Sequence, residues 1–442
     1  MKLNWFSPLP PDKSSIADYT LSLLPELTKY FDITLYTDSK GAGQSLKNQF
    51  SIRHYRPENI EWSTLNQSHL NIYNIGNNPL FHSSIWQVSR LSPGIVVLHD
   101  FTLHDFFTEL FRSRAHGASE YFQVMKRIYG DQGEAAAKQF WNGQLPHEFM
   151  YENYPLTSLA TENAVGIITH NSSAYDVLSH SDCLLGYTPL PYVDRLQKKK
   201  NNSAQHKKFS MDNPCRLILF GFLGANRRAE SILQALSQIE NKHKFHLDIF
   251  GEVQNSQHLL ARINHYQLEK LVTVHGYVED NELHNALSNA DLALNLRYPS
   301  MGESSQSQLL IWNHCLPSIV TKVEWYKTLS DDCVLFVRPE HEIEDLIAHL
   351  EGFLQNSERY SFLGLTGRKL LESYHSPSGF IKFLIEYSSK IKPYRSLYVK
   401  NYLINRVTEK LNSLGSTALA DKYLSKISAD ILSISFPHLE NP

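Results

Sequence analysis

The sequence predicts an α/β protein of two Rossmann-like domains facing a central cleft, and three observations carry that prediction. Short apolar runs alternate with helix-period segments through both halves of the chain. Each run is nearly continuous in apolar residues, as strands are when a parallel sheet is covered on both faces. A polar, basic break over residues 197–208 parts the two halves, and 442 residues exceed one ordinary core.

The first half opens with an apolar run at 3–6, ended by Pro8-Leu-Pro-Pro11. Periodicity predicts a helix over 15–30, with Ile16, Tyr19, Leu23, Leu24 and Leu27 on one face. Ser14 or Ser15 suits its N-cap, and Asp18 completes an approximate capping box from Ser15. Further strands are predicted at 32–36, 71–75, 94–98 and 164–168. Residues 106–159, rich in helix formers and aromatics, read as a helical insertion. The second half restarts the alternation, with strands at 216–220, 246–250, 272–275, 290–296, 317–320 and 333–336. Helices are predicted at 228–239, 257–266, 282–289, after Glu303, and at 343–353 and 358–374. The domain bounds are then 1–196, a linker at 197–213, 214–375, and a helical C-terminal tail at 376–442. Beyond Pro393 the tail reads as two polar helices interrupted near Gly415, available to pack back, to bind a partner or to self-associate.

Composition narrows the function classes. Hydrophobic content of 42% and charged content of 20% are those of a soluble globular protein. A formal net charge of -3 gives no basic field, so nucleic acid is not an expected partner. Cys183, Cys215, Cys315 and Cys333 are widely spread and form no CxxC pair, which suits a reducing, cytoplasmic compartment. The N-terminus has no long apolar segment of a secretory signal, and no run approaches the roughly 20 apolar residues of a membrane span. Membrane contact is therefore expected only at the periphery. The basic 197–208 segment reads as a solvated linker, or as a patch for anionic lipid or a phosphorylated acceptor.

The most informative stretch is Arg297-Tyr-Pro-Ser-Met-Gly-Glu303-Ser-Ser-Gln-Ser-Gln-Leu-Leu-Ile311. A strand stops, a Pro/Gly loop turns the chain, and a carboxylate sits where a helix begins. Helix-start N–H groups favour an anion. Glu303 cannot bind that anion itself, so it suits neutral hydroxyls beside it. Phosphate next to polyol describes a nucleotide sugar. In Leu219-Phe-Gly221-Phe-Leu-Gly224-Ala-Asn-Arg227-Arg228, the glycines permit positive φ and close ligand approach. Two arginines at a helix start are unfavourable for its dipole, a cost an anion would offset. Structural turn and phosphate loop are both open readings of this segment. His99-Asp100 and His104-Asp105 end a strand of the first half, where histidine could serve a sugar hydroxyl, a metal or the core. Gly76-Asn-Asn-Pro79 is turn chemistry, and His82 after it is expected in a surface loop.

From about Lys2 to Tyr374 the chain resembles family 4 glycosyltransferases of the GT-B fold. Three blocks carry the resemblance: 5–11 through Ser15-Ile-Ala-Asp-Tyr19, Leu98-His-Asp100 with Leu103-His104, and Tyr298-Pro-Ser-Met-Gly-Glu303-Ser-Ser305 through Leu316-Pro317. The resemblance implies retaining transfer from a UDP- or GDP-linked sugar, with no further cofactor and no essential metal. It implies that Arg227 and Arg228 neutralise the diphosphate beside Gly221 and Gly224. Glu303 would accept from sugar hydroxyls, and the amides of Ser304 and Ser305 would hold phosphate. His99 would contact the donor sugar, and Tyr277 and Val278 would border the base. His99, Glu303 and Arg228 are the expected catalytic set. Two positions depart from the family: Ile311 stands where a second glutamate often holds the ribose, leaving Gln308 as a substitute, and Phe222 replaces an arginine after Gly221. The acceptor is open among glycan, lipid-linked and protein hydroxyls. The alternatives are a non-catalytic GT-B-like nucleotide-binding or assembly subunit and a sugar-nucleotide epimerase, because fold does not fix function.

Overall fold

The computed structural model describes residues 1–39, 41–43, 46–65, 67–179, 183–194 and 208–413. Most of the basic break at 197–208, and Gly415 with the end of the tail, lie outside the described residues. The chain divides into two units. One comprises Met1–His170, Ala174–Thr188 and Pro377–Pro442, the other Asn171–Ser173 and Pro189–Ser376.

The first unit runs β1 (Lys2–Phe6), α1 (Ser15–Leu27), β2 (Asp32–Thr37), β3 (Ser51–His54), α2 (Trp62–Leu65), β4 (Leu70–Ile75), α3 (Pro79–Leu91) and β5 (Ile95–Leu98). Helices α4 (His104–Arg112), α5 (Gly117–Trp141), α6 (His147–Asn153) and α7 (Thr157–Ala160) follow, then β6 (Gly166–Thr169), α8 (Ser172–Leu178) and β7 (Leu184–Tyr187). Seven parallel strands lie in the order β3-β2-β1-β4-β5-β6-β7. Trp5 and Phe6 are successive residues of β1 and both fully buried, which requires cover on both faces. The periodicity misses the two edge strands, because β3 presents mostly exposed side chains and neither edge forms a long apolar run.

One helix start bears out the sequence reading and another differs from it. Ser14, one of the two serines expected there, is the N-cap of α1, its Oγ accepting from Ile16 N, and Ser15 is the first helical residue. Asn78 caps α3 by accepting from Leu80 N at 3.0 Å, with Pro79 at N1. The Gly-Asn-Asn-Pro run is thus a helix start. His82 lies inside α3 and is 1% exposed, rather than in a surface loop.

The second unit runs β8 (Cys215–Phe220), α9 (Ala229–Gln238), β9 (Phe245–Phe250), α10 (Ser256–His265), β10 (Val272–Gly276), α11 (Asp280–Asn289) and β11 (Leu292–Asn295). It continues with α12 (Gln306–Asn313), β12 (Ser318–Thr321), β13 (Leu335–Val337), α13 (Glu342–Gln355) and α14 (Ser357–Tyr374). Six parallel strands lie in the order β10-β9-β8-β11-β12-β13. Leu217, Leu219, Ile249, Leu294 and Ile319 form one core face of this sheet. Ile218, Phe220, Phe250 and Ala293 form the other, so strand alternation here places apolar residues on both sides.

The last helix, α15 (Pro377–Ser413), opens the helical tail expected from 376 and continues past Pro393 as one helix. It belongs to the first unit. Tyr387 Oη on it bonds Ile167 O at 3.0 Å and Leu184 O at 2.6 Å, bridging β6 and β7.

Candidate functional site

In the second unit the strand order reverses between β8 and β11. Open α/β sheets bind ligands beyond the carboxyl ends of strands at such a switch point. The loops leaving there are 221–228, after β8, and 296–305, after β11. They are tied together: Tyr298 N donates to Asn226 O at 2.8 Å, and Arg227 Nη1 donates to Asn295 Oδ1 at 3.0 Å.

Three glycines end three neighbouring strands. Gly221, Gly251 and Gly276 have φ of 111°, 118° and 70°, where an L side chain is strained. Gly251 N donates to Gly276 O at 2.6 Å, and Gly221 N to Phe250 O at 3.0 Å. A Cβ on Gly251 would lie 2.0 Å from Gly221 O, so the crossing is bare backbone by necessity. Gly224 differs from expectation. Its φ is -83°, and it starts a short 3-10 turn rather than supplying a left-handed residue. Tyr277, after Gly276, is 60% exposed, while Val278 packs partly buried against the Phe250 cluster.

The two predicted phosphate arginines have separate environments. Arg227 is 2% exposed, and its Nη2 donates to Phe220 O at 2.8 Å. Burial first, and Arg297 beside it second, pull its pKa down to about 10, so it remains a cation at neutral pH. Its Nε is buried with no hydrogen-bond partner among the described residues. Arg228 adopts the left-handed region, φ 57°, at the N-cap of α9. Its Nε donates to Glu342 Oε1 at 2.8 Å and Oε2 at 3.1 Å, and its guanidinium lies 6.0 Å from the Tyr298 ring centroid. The cation at the helix start is therefore balanced by a protein carboxylate, and its cost to the dipole is no sign of a bound anion.

Glu303 is held by its own loop. Oε2 accepts from Met301 N at 2.9 Å and from Ser300 Oγ at 3.3 Å, while Oε1 pairs with Arg297 Nη1. Gly302 turns this loop at φ 72°, and its carbonyl accepts from Asn171 Nδ2 at 2.8 Å. Ser305 caps α12, its Oγ accepting from Gln308 N at 3.1 Å. The helix thus begins after Ser305, and Ser304 lies outside its first turn. Arg227, Arg297 and Glu303 interact electrostatically, which gives two cations against one carboxylate at the switch point.

Gln308 does not stand in for a ribose-binding glutamate. It is fully buried, accepting from Asn295 Nδ2 at 2.9 Å and donating to Ser318 Oγ at 2.7 Å. Both ends of the amide are committed to the core. Ile311 is likewise fully buried, packed in the cluster of Ile218, Phe220 and Leu316.

His99 belongs to the first unit, one residue beyond β5. Its N donates to Ile75 O at 2.9 Å, and its ring meets Tyr19 edge-on at 4.8 Å and 84°. Burial, then His170 and His82, hold its pKa well below the usual histidine range. His104 is a core histidine: Nδ1 donates to Tyr154 O at 2.7 Å and Nε2 meets Tyr121 Oη at 2.8 Å. Asp105 meets His147 Nδ1 at 2.9 Å and accepts from Tyr151 Oη. Among the described residues, no group of three or more His, Cys, Asp and Glu side chains could hold a metal ion.

Residues 200–370 match the model of the family described as glycosyl transferases group 1. The structure of HepE from Anabaena in complex with UDP is similar over 88% of this chain and 99% of that one, with a TM-score of 0.61 and 13% identity. WaaG, a glycosyltransferase involved in lipopolysaccharide biosynthesis, is similar over 86% of this chain and 98% of that one, with a TM-score of 0.54 and 12% identity. This is the GT-B fold. Sucrose-phosphate synthase from Thermosynechococcus elongatus shares it, at 13% identity and a TM-score of 0.54, covering 90% of this chain and 99% of that one. No curated protein matches the chain in sequence. No described helix is long and apolar enough to cross a membrane.

Within the GT-B frame, the residues that sequence reasoning left without a role are Asn295, Arg297, Glu342 and Gly251. Two signals could have found some of them. Glycine follows or ends three successive predicted strands, and Asn295 is a polar residue inside an apolar run. Glu342 left no signal, because its partnership with Arg228 spans 114 positions.

Proposed function

We propose that the protein is a retaining family 4 glycosyltransferase. It would move a hexosyl group from a nucleotide diphosphate sugar to an acceptor hydroxyl in glycan or polysaccharide biosynthesis. The observation that carries this reading is the buried Arg227 and the neighbouring Arg297 sharing one carboxylate, Glu303, at the switch point. That surplus of positive charge suits the diphosphate, whose leaving oxygen gains charge as the anomeric bond breaks. The acceptor oxygen forms the new bond to the anomeric carbon, and its proton goes to the departing diphosphate. Glu303 keeps lone pairs for sugar hydroxyls, since the ion pair and loop bonds fix the carboxylate without exhausting its acceptor capacity. The glycine crossing at 221, 251 and 276 would let the nucleotide approach backbone, with Tyr277 and Val278 beside the base. His99 is assigned to the donor sugar by the family resemblance. A UDP-linked donor is favoured, because structures of HepE hold UDP with glucose and UDP-glucose.

The test joins binding to turnover. A thermal-shift screen across UDP-, GDP- and ADP-sugars identifies the donor, because a ligand of the folded state raises apparent stability. Transfer to acceptor panels then follows by mass spectrometry. Glu303→Ala is expected to lower turnover at least about tenfold, roughly 1.4 kcal/mol. Full activity in that variant would remove the site assignment. Nucleotide binding without transfer would favour an assembly subunit, the reading to which Ile311 and the Arg228–Glu342 pair point. Conversion of the donor alone would indicate an epimerase.

A further inference from the structure

We infer that Asn74 is a positioning residue that holds His99 in the tautomer protonated at Nε2, leaving Nδ1 as an unprotonated acceptor. The inference rests on the reading above, in which His99 serves the donor sugar. Asn74 is fully buried on β4. Its Nδ2 donates to Phe6 O of β1 at 3.0 Å. That bond sets which way the amide points, because a reversed amide would place Oδ1 against a backbone carbonyl. Asn74 Oδ1 then lies 3.0 Å from His99 Nε2. A carbonyl oxygen only accepts, so Nε2 must carry the hydrogen. Among the described residues no hydrogen bond reaches His99 Nδ1.

The surroundings reinforce the arrangement. Asn74 O accepts from His82 Nδ1 at 3.0 Å, which fixes the backbone behind the amide. The titratable groups facing His99 are Tyr19 on α1, His82 on α3 and His170 beyond β6, with Asp100 next along the chain. Asp100 Oδ2 accepts from Asn77 N at 2.6 Å. Burial keeps His99 and His82 neutral near pH 7, so the ring has one donor and one acceptor nitrogen. The sign of the contact to a sugar hydroxyl follows from the tautomer. Nδ1 accepts a hydrogen bond from the hydroxyl, whereas the opposite tautomer would present an N–H and require the hydroxyl to turn.

The experiment uses the full-length protein, 15N-labelled at histidine. Long-range 1H–15N spectra, with His99 assigned by a His99→Gln variant, are expected to show the proton on Nε2. Asn74→Leu removes the acceptor and is expected to abolish that preference. Asn74→Asp keeps an acceptor and is expected to retain it. In transfer assays Asn74→Leu should lower kcat about tenfold or more with donor KM within about twofold, and Asn74→Asp should recover part of the loss. A wild-type His99 protonated at Nδ1, or an Asn74→Leu protein that keeps the Nε2–H form, overturns the inference. If Asn74→Leu does not fold, the wild-type and Asn74→Asp spectra decide. If the wild type transfers no sugar, the function is wrong, and the spectra still judge the positioning.

Discussion

Arg228 Nε donates to both carboxylate oxygens of Glu342, at 2.8 and 3.1 Å, and Glu342 is 5% exposed. The pair joins the start of α9 to the start of α13. Arg228→Ala would leave a buried carboxylate without its cation. Arg228 itself is partly exposed, so solvent screening reduces the loss to about 1–3 kcal/mol, below a fully buried pair. Urea denaturation should show that loss, and Glu342→Gln in the same background should restore part of it. An Arg228→Ala protein with unchanged midpoint would show that the pair contributes nothing. Activity lost in this variant must accordingly be compared with the fraction folded.

Ile311→Glu restores the carboxylate that the resemblance to family 4 glycosyltransferases would lead one to expect at this position. In this chain the side chain is fully buried against Ile218, Phe220 and Leu316. The expected outcome is destabilisation of several kcal/mol, about 3 or more, rather than tighter ribose binding. Thermal unfolding and nucleotide titration separate the two. A stable variant that binds donor more tightly would mean the position opens to the ligand.

Gly251→Ala tests the strand-end crossing. The new Cβ would meet Gly221 O at 2.0 Å and would sit on a residue with φ of 118°. Strain and clash together should cost more than about 1–3 kcal/mol. Gly130, at φ 70° with nothing near its Cβ, is the control, and its alanine variant should lose less. Equal midpoints in denaturant would refute the close approach.

Histidine burial gives stability a pH dependence. His82 and His104 both have their pKa drawn down to about 4 by burial, against about 6.5 when unfolded. As pH falls, the unfolded chain takes up these protons first. Stability from these groups is therefore full above about pH 6.5, is lost between there and about pH 4, and stops changing below that. The slope approaches about 1.4 kcal/mol per pH unit for each histidine inside the window. Urea midpoints at pH 7.5, 6.0 and 5.0 measure it, and a flat profile would place a proton on both rings in the folded state.

Most of the architecture is legible because buried parallel strands need apolar residues on both faces, a pattern that survives without any partner information. The edge strands β3 and β7 escape it, since an edge strand buries less and can carry polar residues such as Arg53. The loop around Glu303 is legible from its strand–turn–helix grammar. The fate of single side chains is not. Arg227 and Arg228 are adjacent, yet one is buried by Asn295 and the other is bound by Glu342. Gln308 reads as a polar helix residue, and only tertiary packing commits it to Asn295 and Ser318. His82 follows the same rule, because an Asn-Pro pair serves equally as a turn or as a helix cap.

The return of α15 to the first unit bears on how the chain is made. Gly166 and Gly186 lie directly under it, where added Cβ atoms would fall 2.4 Å from Tyr387 Oη and 2.7 Å from Phe383 Cζ. Those strands are synthesised some two hundred positions before the helix that covers them. On the ribosome, the sheet formed by the early residues must wait with that face uncovered while the whole of the second unit is translated. The second unit, nearly continuous in sequence, meets no such delay. A released chain truncated before residue 377 should therefore hold a finished second unit and an unfinished first one.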